Sequence, residues 1–122
     1  MRIVIPGTLP SLNEIINASK RNKHAYVAMK DKAIYTAGWH FKFAMPGDEF
    51  PKRANYTFHW FCPDKRRDKD NIMAGQKFVF DALQKIGFIK NDGWSQIGDI
   101  SHKFAVDKAN PRLEIEIEEL SA

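Results

Sequence analysis

The chain has 122 residues, of which 43% are hydrophobic and 28% charged, the composition of an ordinary soluble globular domain. Its single cysteine, Cys62, excludes an intramolecular disulfide and a cysteine-based zinc site. The first residues lack the long apolar run of a signal peptide, and no stretch is long enough to span a membrane. We therefore expect one domain over residues 1–122, located in the cytoplasm.

The net charge of +4 is unevenly distributed along the chain. Residues 1–90 hold 16 Lys and Arg against 8 Asp and Glu, whereas residues 91–122 hold 3 against 7. A basic surface is typical of proteins that bind nucleic acid. On charge alone, a mildly basic protein with no polyanionic partner is an equally good interpretation.

The N-terminal segment predicts a strand followed by a short helix. Arg2–Ile5 is short and rich in β-branched residues, and Pro6 ends it, which is typical of a strand. Ser11 has Glu14 three residues later, the spacing of a capping box. This spacing predicts a helix over about residues 12–18.

The next segment predicts a basic loop and a longer helix. Residues 20–32 are basic and are expected to form a loop that leads into the helix. Pro46 and Gly47 end the helical pattern. Apolar residues recur at helical spacing and are predicted to face the core; they are Ala33, Ile34, Ala37, Phe41 and Ala44.

The segment Asn55–Cys62 gives the clearest strand signal in the chain. Large side chains occupy both of its alternating faces, which predicts a strand at the centre of a sheet. Pro63 ends the strand, because proline has no backbone N–H to donate to a neighbouring strand.

The C-terminal half predicts one more helix and two more strands. The helix covers about residues 72–86, with Gly87 as its stop. The strands cover residues 97–106 and 112–119, and the glutamates of the second fit a sheet edge. Together these elements predict an α/β (α+β) fold in which a mixed sheet of about four strands packs with about three helices.

A charged stretch after the central strand contains the candidate chemistry. Asp68 and Asp70 are two residues apart in a predicted extended loop, where alternate side chains point the same way. Both carboxylates could then face one cation, and Mg²⁺ prefers oxygen ligands. The start of the following helix adds a positive dipole end. The alternative is that the acidic loop binds no metal and only caps this helix.

A lysine and two further acids follow this pair of aspartates. Lys77 lies seven residues after Asp70, about two helical turns along, and is predicted on nearly the same face. Asp81 comes four residues later and can form an ion pair with Lys77. The alternative is that the two residues form an ordinary surface ion pair with no part in catalysis. Asp92 lies in a loop after the helix.

Several spaced motifs run through residues 63–97. They are, in order, Asp68-Lys69-Asp70-Asn71, Lys77, Asp81-Ala82-Leu83, Asp92 and Gln96-Ile97. The series resembles the RusA family of Holliday junction resolvases, whose pattern has Asp-x-Asp-Asn, a lysine four residues before Asp-Ala-Leu, a carboxylate, and Gln before Ile or Val. In the best-known members the lysine lies four residues after the second aspartate, whereas here it lies seven residues after it.

The resemblance implies a RusA-like homodimer that cuts four-way (Holliday) DNA junctions by paired symmetric nicks. It implies an endodeoxyribonuclease that depends on Mg²⁺, with Mn²⁺ as a second choice. The metal ligands would be Asp68, Asp70 and Asp92, and Lys77 would be the catalytic lysine. Side chains expected to hold DNA are Arg66, Arg67, Lys69, Asn71, Lys20, Arg21, Lys23 and Lys30.

Two other functions remain open for the sequence. One is a protein that binds DNA junctions without cutting them, which the three acids argue against. The other is a nucleotide-sugar transferase with a metal-binding Asp-x-Asp, for which 122 residues leave little room. The tryptophans Trp39, Trp60 and Trp94 are interpreted as core or dimer-interface residues, and Trp94 also as a possible substrate contact.

Overall fold

A computed structural model describes residues 1–121 and contains four strands, three helices of ten residues or more, and two short helical turns. The elements are β1 (Arg2–Pro6), α1 (Leu12–Arg21), α2 (Lys23–Ala44), a 3-10 turn (Gly47–Glu49), β2 (Ala54–Cys62), α3 (Lys69–Met73), α4 (Gln76–Lys85), β3 (Ile97–Val106) and β4 (Arg112–Glu119). The strands form one open sheet in the order β1-β4-β2-β3. The predicted α+β fold with a four-stranded mixed sheet is therefore confirmed.

The sheet is mixed because β2 has a parallel neighbour on one side and an antiparallel one on the other. β3 runs parallel to β2, and the connection between them passes through α3 and α4. β4 pairs antiparallel with both β2 and β1. The central position of β2 is thus confirmed. The prediction of β4 at a sheet edge is wrong, because its glutamates lie on the sheet face away from the core rather than along an unpaired edge.

The hydrophobic core lies between one face of the sheet and the helices α2 and α4. Phe58 of β2 and Ile115 of β4 are fully buried there, together with Phe41 of α2 and Phe78 of α4. Burial of each such side chain contributes roughly 1.5–3 kcal/mol. The helices therefore hold the connection between β2 and β3, which carries the candidate site, firmly against the sheet.

The basic segment 20–32 is helical, so the predicted loop there is wrong. α1 continues to Arg21, and Asn22 alone separates it from α2. The Asn22 side chain accepts the N–H of Ala25 at 2.7 Å and so caps the start of α2. The Lys, Arg, Ala and Met residues of this segment are good helix formers, and one cap residue is enough to separate the two helices. Ala44 was predicted in the core but is exposed.

The predicted helix over residues 72–86 is broken into α3 and α4. The break falls at Ala74 and Gly75, where a Cβ on Gly75 would lie 3.1 Å from atoms of both Leu9 and Trp60. Glycine lets the backbone approach these side chains closely. Gly87 ends α4 with a φ of 81°, the left-handed conformation that glycine adopts readily.

Candidate active site

The two aspartates of the Asp-x-Asp motif lie at the start of α3. Asp68 occupies the N-cap position, and Asp70 lies in the first helical turn. The prediction that both stand in an extended loop is therefore wrong, because the helix begins at Lys69. Both aspartates are exposed at the helix N-terminus, and one Asp70 oxygen accepts the N–H of Asn71 at 2.9 Å.

Asn71 connects α3 to the start of α1. Its side-chain oxygen accepts the backbone N–H of Asn13 at 2.8 Å. That N–H belongs to the first turn of α1, where backbone donors have no partner within the helix. The asparagine of the motif thus helps to hold the two aspartates at a fixed place beside α1, and its contact with DNA stays a prediction.

A second connection joins the basic loop, residues 63–67, to the same end of α1. Glu14 and Ser11 form the predicted capping box, in which the Ser11 hydroxyl accepts the Glu14 N–H at 3.3 Å. The Glu14 carboxylate also accepts a hydrogen bond from Arg67 at 2.6 Å. The charge of Arg67 is therefore compensated within the protein. The neighbouring Arg66 has a side chain that is 89% exposed and lies 3.7 Å from Asp64.

Lys77 lies in the first turn of α4 and forms the predicted ion pair with Asp81. The Lys77 Nζ is 3.3 Å from an Asp81 oxygen, and the lysine side chain is 60% exposed. The break between α3 and α4 means that Lys77 and Asp70 do not share one helix face, contrary to the expectation from their spacing. The longer gap between them is occupied by the end of α3 and the close approach of Gly75 to Trp60.

A partly buried hydrogen-bond chain holds the start of α4, next to Lys77. The Trp60 indole N–H donates to Nδ1 of His102 at 2.9 Å, and Nε2 of His102 lies 2.8 Å from the Gln76 side-chain oxygen. Because the Trp60 indole N–H can only donate, Nδ1 must accept, so the proton is on Nε2, which donates a hydrogen bond to the Gln76 oxygen. Burial lowers the pKa of His102, which favours this neutral form. Sequence analysis missed this chain, since it forms only when β2 and β3 pair in parallel and α4 packs beside them.

Hollows lie on both sides of the basic loop. The first has a volume of about 230 Å³, and its walls include Gly7, Leu9, Trp60, Arg66, Arg67 and Arg112. The second has a volume of about 720 Å³, and its walls include Asp68, Lys69, Phe104 and Val106. Lys69 places its Nζ 5.5 Å from the centre of the Phe104 ring. The loop therefore stands as a ridge with positive side chains beside two concave surfaces.

Asp92 and the remaining basic candidates lie on other segments. Asp92 is exposed in the turn between α4 and β3, next to a Trp94 that is 98% exposed and so cannot be a core residue. Lys20, Arg21 and Lys23 are exposed where α1 meets α2, and Lys30 is half-buried on α2. α1 is about 15 Å long and has the α3 contact at its other end. Lys20, Arg21 and Lys23 therefore lie at a distance from the Asp-x-Asp motif.

The carboxylates of Asp68, Asp70 and Asp92 fit the chemistry of a magnesium site. All three are exposed, and none forms an ion pair within residues 1–121. In the same part of the chain, no three His, Cys, Asp or Glu side chains are grouped so that they could hold a metal ion. Mg²⁺ commonly binds one or two carboxylates and completes its shell with water and substrate phosphate oxygens. The Asp68–Asp70 pair supplies the two carboxylates that such a site needs.

Exposed acids next to a basic ridge define a class of protein that acts on phosphate-bearing substrates, and comparison with known families specifies the class. The family model described as endodeoxyribonuclease RusA matches residues 14–118. The chain belongs to this family of endodeoxyribonucleases, as the motifs of residues 63–97 predicted. No curated protein matches the chain. Within residues 1–121, every helix is too short or too polar to cross a membrane.

Proposed function

We propose that the protein resolves four-way DNA junctions by paired, symmetric, metal-dependent nicks. The observation that carries the proposal is the exposed Asp68–Asp70 pair at the start of α3, flanked by the basic ridge. Membership of the endodeoxyribonuclease family supports cleavage of DNA as the reaction. The fixed attachment of α3 to α1 through Asn71 supports a preorganised site.

The acids would hold the metal, and the lysine would act on the phosphate. Asp68 and Asp70 are the proposed ligands for Mg²⁺ or Mn²⁺, and Asp92, which is not grouped with them in the described part of the chain, is proposed to join them only when metal and DNA bind. When bound, the ion would activate water and offset negative charge on the scissile phosphate. Lys77 is exposed enough to leave Asp81 and place its positive charge near that phosphate. The 3.3 Å contact with Asp81 keeps the ammonium group oriented until DNA arrives.

Arg66 and Lys69 are the proposed main contacts to the DNA backbone at the ridge. Arg66 is almost fully exposed, and Lys69 overhangs the larger hollow. Such contacts fix the position of the nucleic acid without reading its sequence. Lys20, Arg21 and Lys23 would hold a more distant part of the same branched substrate, which fits a junction with several arms better than one short duplex.

A homodimer would account for the paired nicks. One active site cuts one strand at a time, so symmetric incision of two strands requires two sites related by a two-fold axis. Each copy of the chain would supply one set of the three acids and one Lys77.

The test is a labelled four-way junction incubated with the protein and Mg²⁺, with a linear duplex of the same sequence as the control. We expect symmetric nicks in two opposing strands of the junction, no cutting of the duplex, and loss of cutting in EDTA. Retardation of the junction without any nick in Mg²⁺ or Mn²⁺ would contradict the proposal and favour a protein that only binds junctions.

A further inference from the structure

Helix α2 carries a stripe of exposed aromatic side chains, which we call the aromatic stripe and which consists of Tyr35, Trp39 and Phe43. Their exposed fractions are 74%, 51% and 79%. They recur every four residues and therefore lie along one side of the helix. The rings of Trp39 and Phe43 stack with centroids 5.2 Å apart. The stripe is a continuous apolar surface rather than three separate residues.

The opposite side of α2 is already committed to the core. Ala33, Ile34, Ala37 and Phe41 are buried there against the rest of the protein. A helix that is apolar on both sides is typical of one that is covered on both sides. Large exposed apolar patches in a soluble protein mark binding surfaces. The aromatic stripe therefore requires a partner.

A groove runs beside the aromatic stripe between α2 and the end of α4. It has a volume of about 540 Å³, with Ile34, Gly38 and Ile86 as apolar walls and Tyr35 and Trp39 at its rim. Gly38 lets the two helices approach closely, since a Cβ there would lie 3.1 Å from Ile86 Cγ2. A groove of this size can accept an aromatic side chain from another molecule.

The charges around the groove show what kind of partner fits. Asp31 lies near one end of the stripe and Lys42 near the other, and both line the groove together with Lys85 at the end of α4. Asp31 and Lys42 are about 16 Å apart along the helix axis. Neither forms an ion pair within residues 1–121. When two copies of such a surface pack antiparallel, the acid of each copy lies opposite the base of the other.

We propose that the aromatic stripe and its groove bind the same surface of a second copy of the chain, with the two α2 helices antiparallel. This arrangement places Asp31 opposite Lys42 of the second copy, twice by symmetry. It also places Tyr35 beside Trp39 of the second copy, because the two-fold axis that relates the antiparallel helices passes near residue 37. The inference rests on the proposed homodimer and specifies its surface.

The area of the stripe is of the size that such a contact needs. Aromatic side chains bury roughly 150–250 Å² each, so the exposed fractions of these three amount to on the order of 400 Å² per copy. A stable interface takes roughly 800 Å² from each partner. The stripe would supply about half of that area, and the groove and its charged rim would supply the rest. A DNA strand could also stack on aromatic rings, with Lys42 and Lys85 attracting its backbone and Asp31 repelling it, so the tests below separate DNA from a second copy of the chain.

The first test compares two exposed tryptophans by sedimentation velocity in the absence of DNA and metal. The wild-type protein is expected to be a dimer that dissociates on dilution. Trp39→Ala should raise the dissociation constant at least tenfold, since buried tryptophans are frequent hot spots of interfaces. Trp94→Ala removes a tryptophan that is 98% exposed on a different segment and should leave the constant unchanged. A wild-type monomer, or equal effects of the two variants, would overturn the inference.

The second test exchanges the charges at the ends of the stripe. Asp31→Lys and Lys42→Asp should each weaken the dimer, because each places like charges opposite one another. The double variant should restore the wild-type dissociation constant, and failure to do so would overturn the antiparallel arrangement. A dimer that is weakened by Trp39→Ala but cuts no junction would contradict the proposed function and support this surface. If Trp39→Ala lowered the affinity for DNA without changing the mass of the protein in sedimentation, the surface would bind DNA instead of a second copy, and the inference would be wrong.

Discussion

Arg67 and Glu14 are 53 residues apart in the chain but share a hydrogen bond of 2.6 Å. The same Glu14 oxygen lies 3.4 Å from the backbone N–H of Ser11, which it accepts in the capping box. One carboxylate therefore caps the start of α1 and holds the basic ridge against it. The neighbouring Arg66 has no such attachment to α1 and projects into solvent. Two adjacent arginines thus have different tasks.

These tasks predict different effects of alanine at the two positions. Arg66→Ala should lower the slope of log affinity against log salt by about 0.9, because one phosphate contact is lost. Arg67→Ala should change that slope less and lower the free energy of unfolding by up to about 1 kcal/mol. Junction binding at several salt concentrations and urea unfolding provide the two measurements. Equal loss of slope in both variants, with no change in stability, would show that both arginines hold DNA.

Asn71 is predicted to act on stability through α1. Asn71→Ala leaves the N–H of Asn13 without its partner and should lower the free energy of unfolding by about 1 kcal/mol, as loss of a helix cap does. Asn71→Asp keeps an acceptor oxygen and adds a negative charge at a helix N-terminus, so its stability should stay near that of the wild type. Urea unfolding separates the two cases. If both variants unfolded alike, the 2.8 Å contact would contribute nothing.

The stability of the fold should depend on pH through His102. Burial lowers its pKa in the folded protein below the ordinary 6.5. The unfolded chain therefore binds more protons as the pH falls below 6.5, so stability is full above that value and is lost as the pH falls through the lowered pKa. Protonation would also break the Trp60 hydrogen bond, because Nδ1 could no longer accept.

The measurement for His102 is urea unfolding from about pH 5 to 7, above the range where ordinary carboxylates titrate. His102→Gln should flatten the rise of stability with pH in that range, whereas His24→Ala, at an exposed position on α2, should not. An unchanged pH profile in His102→Gln would show that the histidine does not govern this transition.

Lys77 and Asp81 should behave differently although they form one ion pair. Lys77→Met should reduce junction cleavage strongly at saturating DNA, because its charge is proposed to act on the scissile phosphate. Asp81→Asn releases the lysine and should retain cleavage. Since the Lys77 side chain is 60% exposed, stability should change by no more than a few tenths of a kcal/mol in either variant. Full cleavage by Lys77→Met would remove the lysine from the mechanism.

Much of the fold could be predicted because its signals are local. The alternation of β2 and β4, the Ser11 capping box and Gly87 each depend on residues within a few positions of one another, and all were confirmed. The break at Gly75 could not be predicted, since its cause is the contact with Leu9 and Trp60 across the fold. The order of strands likewise depends on pairings that periodicity does not contain.

The candidate site likewise has features that the local sequence predicts and features that depend on contacts between distant residues. Residue types and spacing were enough to identify the family from Asp68, Asp70, Lys77 and Asp92, and the family model confirmed that identification. The supporting contacts were not visible, because Asn71 and its partner are 58 residues apart. The roles of the acids in metal binding and catalysis stay predictions.

The central claim is that Asp70 is a metal ligand of a junction-cutting enzyme, and the most direct measurement is the junction assay with Asp70→Asn. The change is nearly isosteric but removes a charged ligand. We expect unchanged thermal unfolding, junction affinity at least equal to that of the wild type, and loss of nicking in Mg²⁺. Asp48→Asn, which removes an exposed acid from the 3-10 turn after α2, should cut normally. Cutting by Asp70→Asn at the wild-type rate would contradict the account.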